Sequence, residues 1–154
     1  MPKLTALIRT SNDAVRIGRA LESLRPCDEF LIIDDGSNDE TARVAREYGA
    51  RVELAGAEDR NHAELAQNDW ILCVSPAEAL TEALEAALFE WKQIEHGAAR
   101  SFRVGIREET REGWNSLPPV TRLVNRRRVG IGDGMPAEDP SGYLLDGDLL
   151  RFCL

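Results

Sequence analysis

The sequence has 154 residues, enough to bury one core, and its 43% apolar and 30% charged residues are the balance of an ordinary globular chain. A net charge of -8 argues against general affinity for nucleic acid or an anionic bilayer. No apolar run reaches the ~18 residues of a membrane span, the N-terminus has no signal-peptide profile, and Cys27, Cys73 and Cys153 form no metal motif or disulfide framework, so a reduced, cytoplasmic protein is expected.

Leu4 to Ile8 is a short apolar run bounded by Arg9-Thr10-Ser11-Asn12-Asp13, which reads as a buried strand and a polar turn. Val15, Gly18, Leu21 and Leu24 then recur at helical spacing, with Arg16, Arg19 and Glu22 outward, until Pro26 ends the helix. Phe30 to Ile33 is a second strand. It runs into Asp34-Asp35-Gly36-Ser37, where Ser37 and Glu40 have the spacing of a capping box. Thr41, Val44, Ala45 and Tyr48 line the next helix, Gly49 stands where its C-terminal cap belongs, and Arg51 to Leu54 is a third strand. Asn61 to Ala66 reads as a helix and Trp70 to Val74 as a fourth strand. A long helix follows, with Leu80, Leu84, Leu88 and Trp91 on one face and Gly97 closing it.

After Gly97 the helical patterns stop. Ser101 to Ile106, Val120 to Val124 and the tail from Tyr143 to Leu154 read as strands, expected to be antiparallel additions to the same sheet. From Ala98 to Ile131 eight arginines face three glutamates, a local +5 against -13 elsewhere, which marks either an anion site or a solvated edge that discourages strand aggregation. The expected fold is α/β: a Rossmann-like three-layer sandwich around a mixed, mostly parallel sheet, in one domain of residues 1–154.

In such a sheet ligands bind beyond the carboxyl ends of the strands, which selects the loops Arg9 to Asp13, Asp34 to Asn38, and Ser75 to Glu78. Adjacent carboxylates at Asp34 and Asp35 after a buried strand are costly unless hydrogen-bonded. One could accept from backbone amides and the other from a base or ribose hydroxyl, or the loop could simply make a turn and start a helix. A phospho-acceptor pair would need a later lysine and aspartate, and Lys92 is the only lysine after Lys3.

Residues Leu4 to Glu53 resemble the N-terminal half of family-2 glycosyltransferases. Thr10, Asn12, Asp34, Asp35, Gly36, Ser37, Asp39, Thr41, Ala45, Tyr48, Gly49 and Ala50 fall in register with that family, and Arg60-Asn61 and Asp69 to Leu72 continue the match. The resemblance implies a GT-A fold, with residues 1–97 holding a nucleotide-diphosphosugar and residues 98–154 supplying acceptor-side strands. It places Asp35 at the base, Thr10, Ser11, Asn12 and Asp34 around it, and Arg60 near the diphosphate. It also implies transfer of a sugar to a glycan or lipid-linked acceptor, by inversion, in bacterial cell-envelope glycan synthesis.

The family's metal motif, aspartate-x-aspartate, should follow the fourth strand and bind manganese or magnesium. Here Ser75-Pro76-Ala77-Glu78 stands instead, and Ser75 and Ala77 cannot supply the hard anionic ligands that such a cation wants. Ser75 as N-cap, Pro76 at the first helical position and Glu78 three residues after the cap read as a helix start, with Thr81 the competing cap. Metal-independent transfer would lean on arginines such as Arg60, Arg122 or Arg126 to Arg128. By the resemblance Glu138, then Asp139, is the candidate general base. His62 and His96 read as surface or helix-packing residues. The rival to transfer is an inactive family member that binds a nucleotide or a protein partner. Trp114 and the Trp91 helix leave an oligomer open.

Overall fold

The computed structural model describes residues 1–56 and 61–154. Its elements run β1 (Leu4–Thr10), α1 (Ile17–Ser23), β2 (Glu29–Asp34), α2 (Thr41–Glu47), β3 (Arg51–Leu54), a 3-10 turn (His62–Leu65), β4 (Trp70–Cys73), β5 (Glu78–Leu80), α3 (Glu82–Trp91), β6 (Ser101–Thr110), β7 (Gly113–Asn125), β8 (Ile131–Gly132), β9 (Met135–Pro136) and β10 (Tyr143–Arg151). One mixed sheet has the order β3-β2-β1-β4-β7-β6-β10-β5, and β8 and β9 form a separate hairpin.

Strands β1 to β4 are mutually parallel. β7 then pairs antiparallel with both β4 and β6, as the alternating C-terminal segments predict. β10 departs from that expectation, because it lies parallel to β6 and takes β5 antiparallel on its far side. The chain from β4 to β5 therefore crosses the end of three strands to reach the sheet edge.

Strand alternation sorts the core onto two faces. Leu4, Ala6, Ile8, Ile32 and Leu72 meet Ile17, Ala20, Leu21, Leu24, Ala45, Leu84, Leu88 and Trp91, so all three α-helices serve one face. Leu7, Leu31, Ile33, Ile71 and Cys73 meet Ala63, Ala66, Ile131 and Met135 on the other. The second outer layer is thus a 3-10 turn and a hairpin rather than α-helices, and the stretch expected as a helix over Asn61 to Ala66 shortens to that one turn.

Several local readings shift. Val15 is fully exposed, and the buried stripe of α1 begins at Ile17 instead. Ser37 does not cap α2, whose N-cap is Glu40 with no side-chain cap bond; Asp39, just before it, accepts the Thr41 amide at 2.9 Å. Trp91 is 3% exposed and packs edge-on against Trp70 at 5.1 Å, so it offers no dimer surface. β7 is also far longer than the Val120 to Val124 segment. Its Pro118-Pro119 pair falls where two residues oppose Gly105, between the Val104↔Val120 and Ile106↔Leu117 pairs. A bulge leaves ladder positions unpaired, so the missing proline amides cost nothing there.

Candidate functional site

Strand order reverses at β1: β2 and β3 lie to one side, and β4 to the other. In open α/β sheets ligands bind beyond the carboxyl ends of the strands at such a reversal. The loops after β1 and β2 are knitted together there. Asp35 donates its amide to the Thr10 carbonyl at 2.8 Å, and the Ser11 hydroxyl donates to the Asp35 carbonyl at 3.0 Å. Asn12, at φ 55, donates its amide to the Ser37 hydroxyl and accepts the Asn38 amide on its side-chain oxygen at 2.8 Å. The structure therefore brings Thr10, Ser11, Asn12, Asp34 and Asp35 into one cluster.

Within it the two carboxylates differ. Asp34 is buried and accepts both the amide and the hydroxyl of Ser37. Asp35 has a side chain 56% exposed and pairs with the Arg9 guanidinium at 3.2 Å. Asp34 holds the loop, and Asp35 is the one presented. Thr10 is also buried, with its hydroxyl donated to Asp13 at 2.6 Å. Arg60 lies outside the described residues.

Asp13 and Arg9, which bound the first of the candidate loops, take roles that no local pattern assigned to them. Asp13 accepts from Thr10, from the Ser11 amide and from Arg16, and donates its own amide to Thr41. Burial alone would raise its pKa, but those hydrogen bonds and the Arg16 charge bring it below the ordinary carboxylate value. The signal available was an aspartate closing the polar run Arg9 to Asp13, indistinguishable from any polar turn. Arg9 reaches Asp35 with one guanidinium nitrogen and Asp133 of the hairpin tip with the other, at 3.3 Å. Together with Leu7, Ile33, His62 and Ile131 it walls a small cleft on the hairpin side of the sheet, whose free space of about 10 Å³ admits no more than about one water while the hairpin lies over it. His62 donates from Nε2 to the Ala55 carbonyl, 2.9 Å away, and His96 stacks on Trp91 at 4.4 Å, both packing roles.

Beyond β4 the expected helix start does not form. The local turn has the hydrogen bonds of a cap: the Ala77 amide donates to the Ser75 hydroxyl, and the Ser75 amide to the Glu78 carboxylate at 2.8 Å. The chain then extends as β5, and Thr81 caps α3 by accepting the Leu84 amide at 3.2 Å. The reason is Glu78. It is 1% exposed, gripped by both guanidinium nitrogens of Arg122 at 2.7 and 2.9 Å and by Arg151 at 3.2 Å. That pull fixes residue 78 against the sheet, and the helix starts six residues later than the Ser75 cap predicts.

This turn does not fit a divalent cation. Ser75 and Ala77 bring no carboxylate, and Glu78 has both oxygens engaged. Among the described residues no group of three or more His, Cys, Asp or Glu side chains could hold a metal. The arginines are engaged as well. Arg122 also donates to the Cys73 carbonyl, Arg126 to Asp69 and the carbonyls of Ala63 and Ala66, and Arg128 to the carbonyls of Gly97 and Ala99. Arg127 pairs with Asp69 but is 76% exposed. Glu138 accepts the Thr121 amide and hydroxyl on one oxygen only. Asp139 takes the Ser101 and Ser141 hydroxyls, which hold its pKa below the usual carboxylate range.

No family model matches the chain. An uncharacterized glycosyltransferase of Rickettsia prowazekii is 33% identical over 97% of this chain and 55% of its own length. A 4,4'-diaponeurosporenoate glycosyltransferase of Staphylococcus aureus is 49% identical over 53 residues, 32% of this chain and 14% of that protein. The glucosyl-3-phosphoglycerate synthase of Mycobacterium tuberculosis, solved with Mn2+, UDP and glucosyl-3-phosphoglycerate, superposes with a TM-score of 0.53 at 17% identity, covering 69% of this chain and 44% of that one. The chain is a glycosyltransferase family-2-like protein with a GT-A fold. This family-2-like chain spans 32% to 55% of the length of the first curated relatives it matches. No helix among its described residues is long and apolar enough to cross a membrane.

Proposed function

We propose that this chain binds a nucleotide-diphosphosugar at the carboxyl ends of β1, β2 and β4 and transfers the sugar to the hydroxyl of a glycan or lipid-linked acceptor, in the cytoplasmic assembly of bacterial envelope glycan. The observation that carries the reading is the knitted Thr10–Asp13 and Asp34–Ser37 loop pair at the sheet's switch point, with Asp35 presented and Asp34 holding it in place. A carboxylate on a hydrogen-bonded frame can accept from a base or ribose without reorganising. Arg60 belongs near the diphosphate in this reading. Glu138, whose second oxygen has no protein partner among the described residues, is the acceptor base.

A second reading rests on the turn after β4. A departing diphosphate builds up negative charge, and Ser75, Ala77 and the engaged Glu78 leave this turn without the family's usual means of offsetting it. On that ground the protein is a nucleotide-binding or protein-interaction module without turnover. Calorimetric titration with UDP, GDP and their sugar conjugates, in manganese and in EDTA, separates the two when paired with a transfer assay. Binding that survives EDTA and weakens about tenfold or more in Asp35→Ala fits the proposed site, since a hydrogen bond to a charged group contributes about 1.5–3 kcal/mol. Transfer that falls about a hundredfold or more in Glu138→Gln supports the enzyme. Binding without transfer selects the nucleotide-binding module, and no binding at all rejects both transfer and nucleotide binding and leaves the protein-interaction module.

A further inference from the structure

The β8–β9 hairpin crosses the sheet face that carries the cleft beside Asp35. Its tip is Asp133-Gly134, at φ 51 and 80, the left-handed pair that a two-residue hairpin turn requires. The tip sits directly on β1: a Cβ added at Gly134 would lie 2.9 Å from the Cβ of Arg9. From there Asp133 reaches one nitrogen of the Arg9 guanidinium, while the other nitrogen holds Asp35. One arginine thus ties the hairpin tip to the carboxylate presented to a ligand. Behind the tip, Ile131 and Met135 rest on Leu7, Ile33 and Ala63 and close the cleft from above.

The attachment is slight. The hairpin has two ladder pairs, Ile131↔Pro136 and Gly132↔Met135, closed below by one bond from the Ala137 amide to the Gly130 carbonyl at 2.9 Å. A two-stranded hairpin this short is marginal alone and depends on what it rests against. Here that is two half-buried apolar side chains and one ion pair in which Asp133 is 96% exposed. Such a pair is weak and screened by salt.

We propose that the β8–β9 hairpin is an autoinhibitory lid over the nucleotide cleft, latched by the Arg9–Asp133 pair. The lid rests on the reading of the cleft as the nucleotide site. A nucleotide base entering beside Asp35 displaces the hairpin tip, so the measured affinity is the affinity of the open form multiplied by its population. Asp133 and Gly134 carry no contact assigned to nucleotide or acceptor and border the cleft only from the lid side, so changing them acts first on the lid.

The experiment compares UDP and GDP binding to the wild type, Asp133→Asn and Gly134→Ala, together with amide exchange at Ile131 to Met135. Asp133→Asn should tighten binding by about two- to fivefold, the span of an exposed pair. Gly134→Ala, which pushes the tip off Arg9, should tighten it by about tenfold. Raised salt should narrow the gap between the wild type and Asp133→Asn. Exchange at the hairpin should be faster in both variants and in the nucleotide-bound wild type. Equal affinities in all three proteins would overturn the lid and leave the site standing. Failure of all three to bind either nucleotide would overturn the site, and the lid with it.

Discussion

Glu78→Gln is expected to cost about 3–5 kcal/mol of stability, because breaking a buried ion pair leaves the remaining charge without a partner. For a chain of this size that lowers the thermal midpoint by roughly 10 °C. Glu78 and Arg122 have side chains 0% and 6% exposed, and their two-pronged contact joins the turn after β4 to the middle of β7. In the variant the Arg122 guanidinium keeps its bond to the Cys73 carbonyl but loses its counter-charge. Glu108→Gln removes only the half-exposed outer partner of Arg151 and should cost about 0.5 kcal/mol or less. Replacing Glu78 and Arg122 together by methionines should recover most of the loss, since two apolar groups need no partners. Chemical denaturation of the four proteins checks this. A Glu78→Gln midpoint close to the Glu108→Gln midpoint would show that the pair holds nothing.

The same pair sets an acid limit. Burial pushes the Glu78 carboxyl up, but the Arg122 hydrogen bonds and charge, the Ser75 amide and Arg151 outweigh it, and the pKa lies below the usual glutamate value of 4.5. A depressed folded pKa means that the stabilisation is complete above about pH 4.5 and is lost as pH falls from there through the folded value. Unfolding free energy measured between pH 7 and pH 3 should fall in that window in the wild type, and fall less in Glu78→Gln.

Four strands, three helices and the mixed sheet were legible because each depended on periodicity or a local signal. Gly49, at φ 83, stops α2 where a C-terminal cap was expected, and the Leu84, Leu88 and Trp91 stripe is buried as its spacing requires. What failed depended on partners far along the chain. Ser75 to Glu78 has the residues of a helix start and even forms the cap's hydrogen bonds, yet Arg122, 44 residues on, draws Glu78 into the sheet instead. No window around Ser75 contains that arginine. The parallel pairing of β10 with β6 is likewise invisible, because an apolar tail alternates the same way in either direction.

At the site the division was similar. Asp34-Asp35-Gly36-Ser37 left a binding pair and a plain turn both open; the geometry buries Asp34 on Ser37 and leaves Asp35 half-exposed against Arg9. The arginine-rich stretch read as either an anion site or a solvated edge. Its members at 122, 126 and 128 prove to be ties between the last strands and the first ones, donating to carbonyls at 63, 66, 73, 97 and 99. Guanidinium groups have five donors and suit carbonyl ends of strands and turns as well as they suit phosphate. Composition alone does not tell the two uses apart.

Gly147→Ala should be as damaging as any single methyl added to this protein, at about 3–5 kcal/mol. Gly147 lies at the register break in β10, at φ 86, where an L side chain is already strained by about 1–2 kcal/mol. The added Cβ would fall 2.3 Å from the Leu84 amide nitrogen and 2.7 Å from the Ala83 carbonyl carbon. These are backbone atoms of α3, and the helix cannot give as a side-chain tip can; overpacking of this kind costs a further 1–3 kcal/mol, roughly. The helix is held at that point by its own cap, since Thr81 donates its hydroxyl to the Asp148 carbonyl at 2.8 Å and accepts the Leu84 amide. Moving α3 outward would loosen that cap and draw Leu84, Leu88 and Trp91 from the core. Gly49→Ala is the control. It has φ 83 and nothing within 4 Å of the added Cβ, so it carries the strain without the overlap. Denaturation should place Gly147→Ala at least about 2 kcal/mol below Gly49→Ala. Equal losses would mean that α3 does not approach β10 as closely as the backbone here requires.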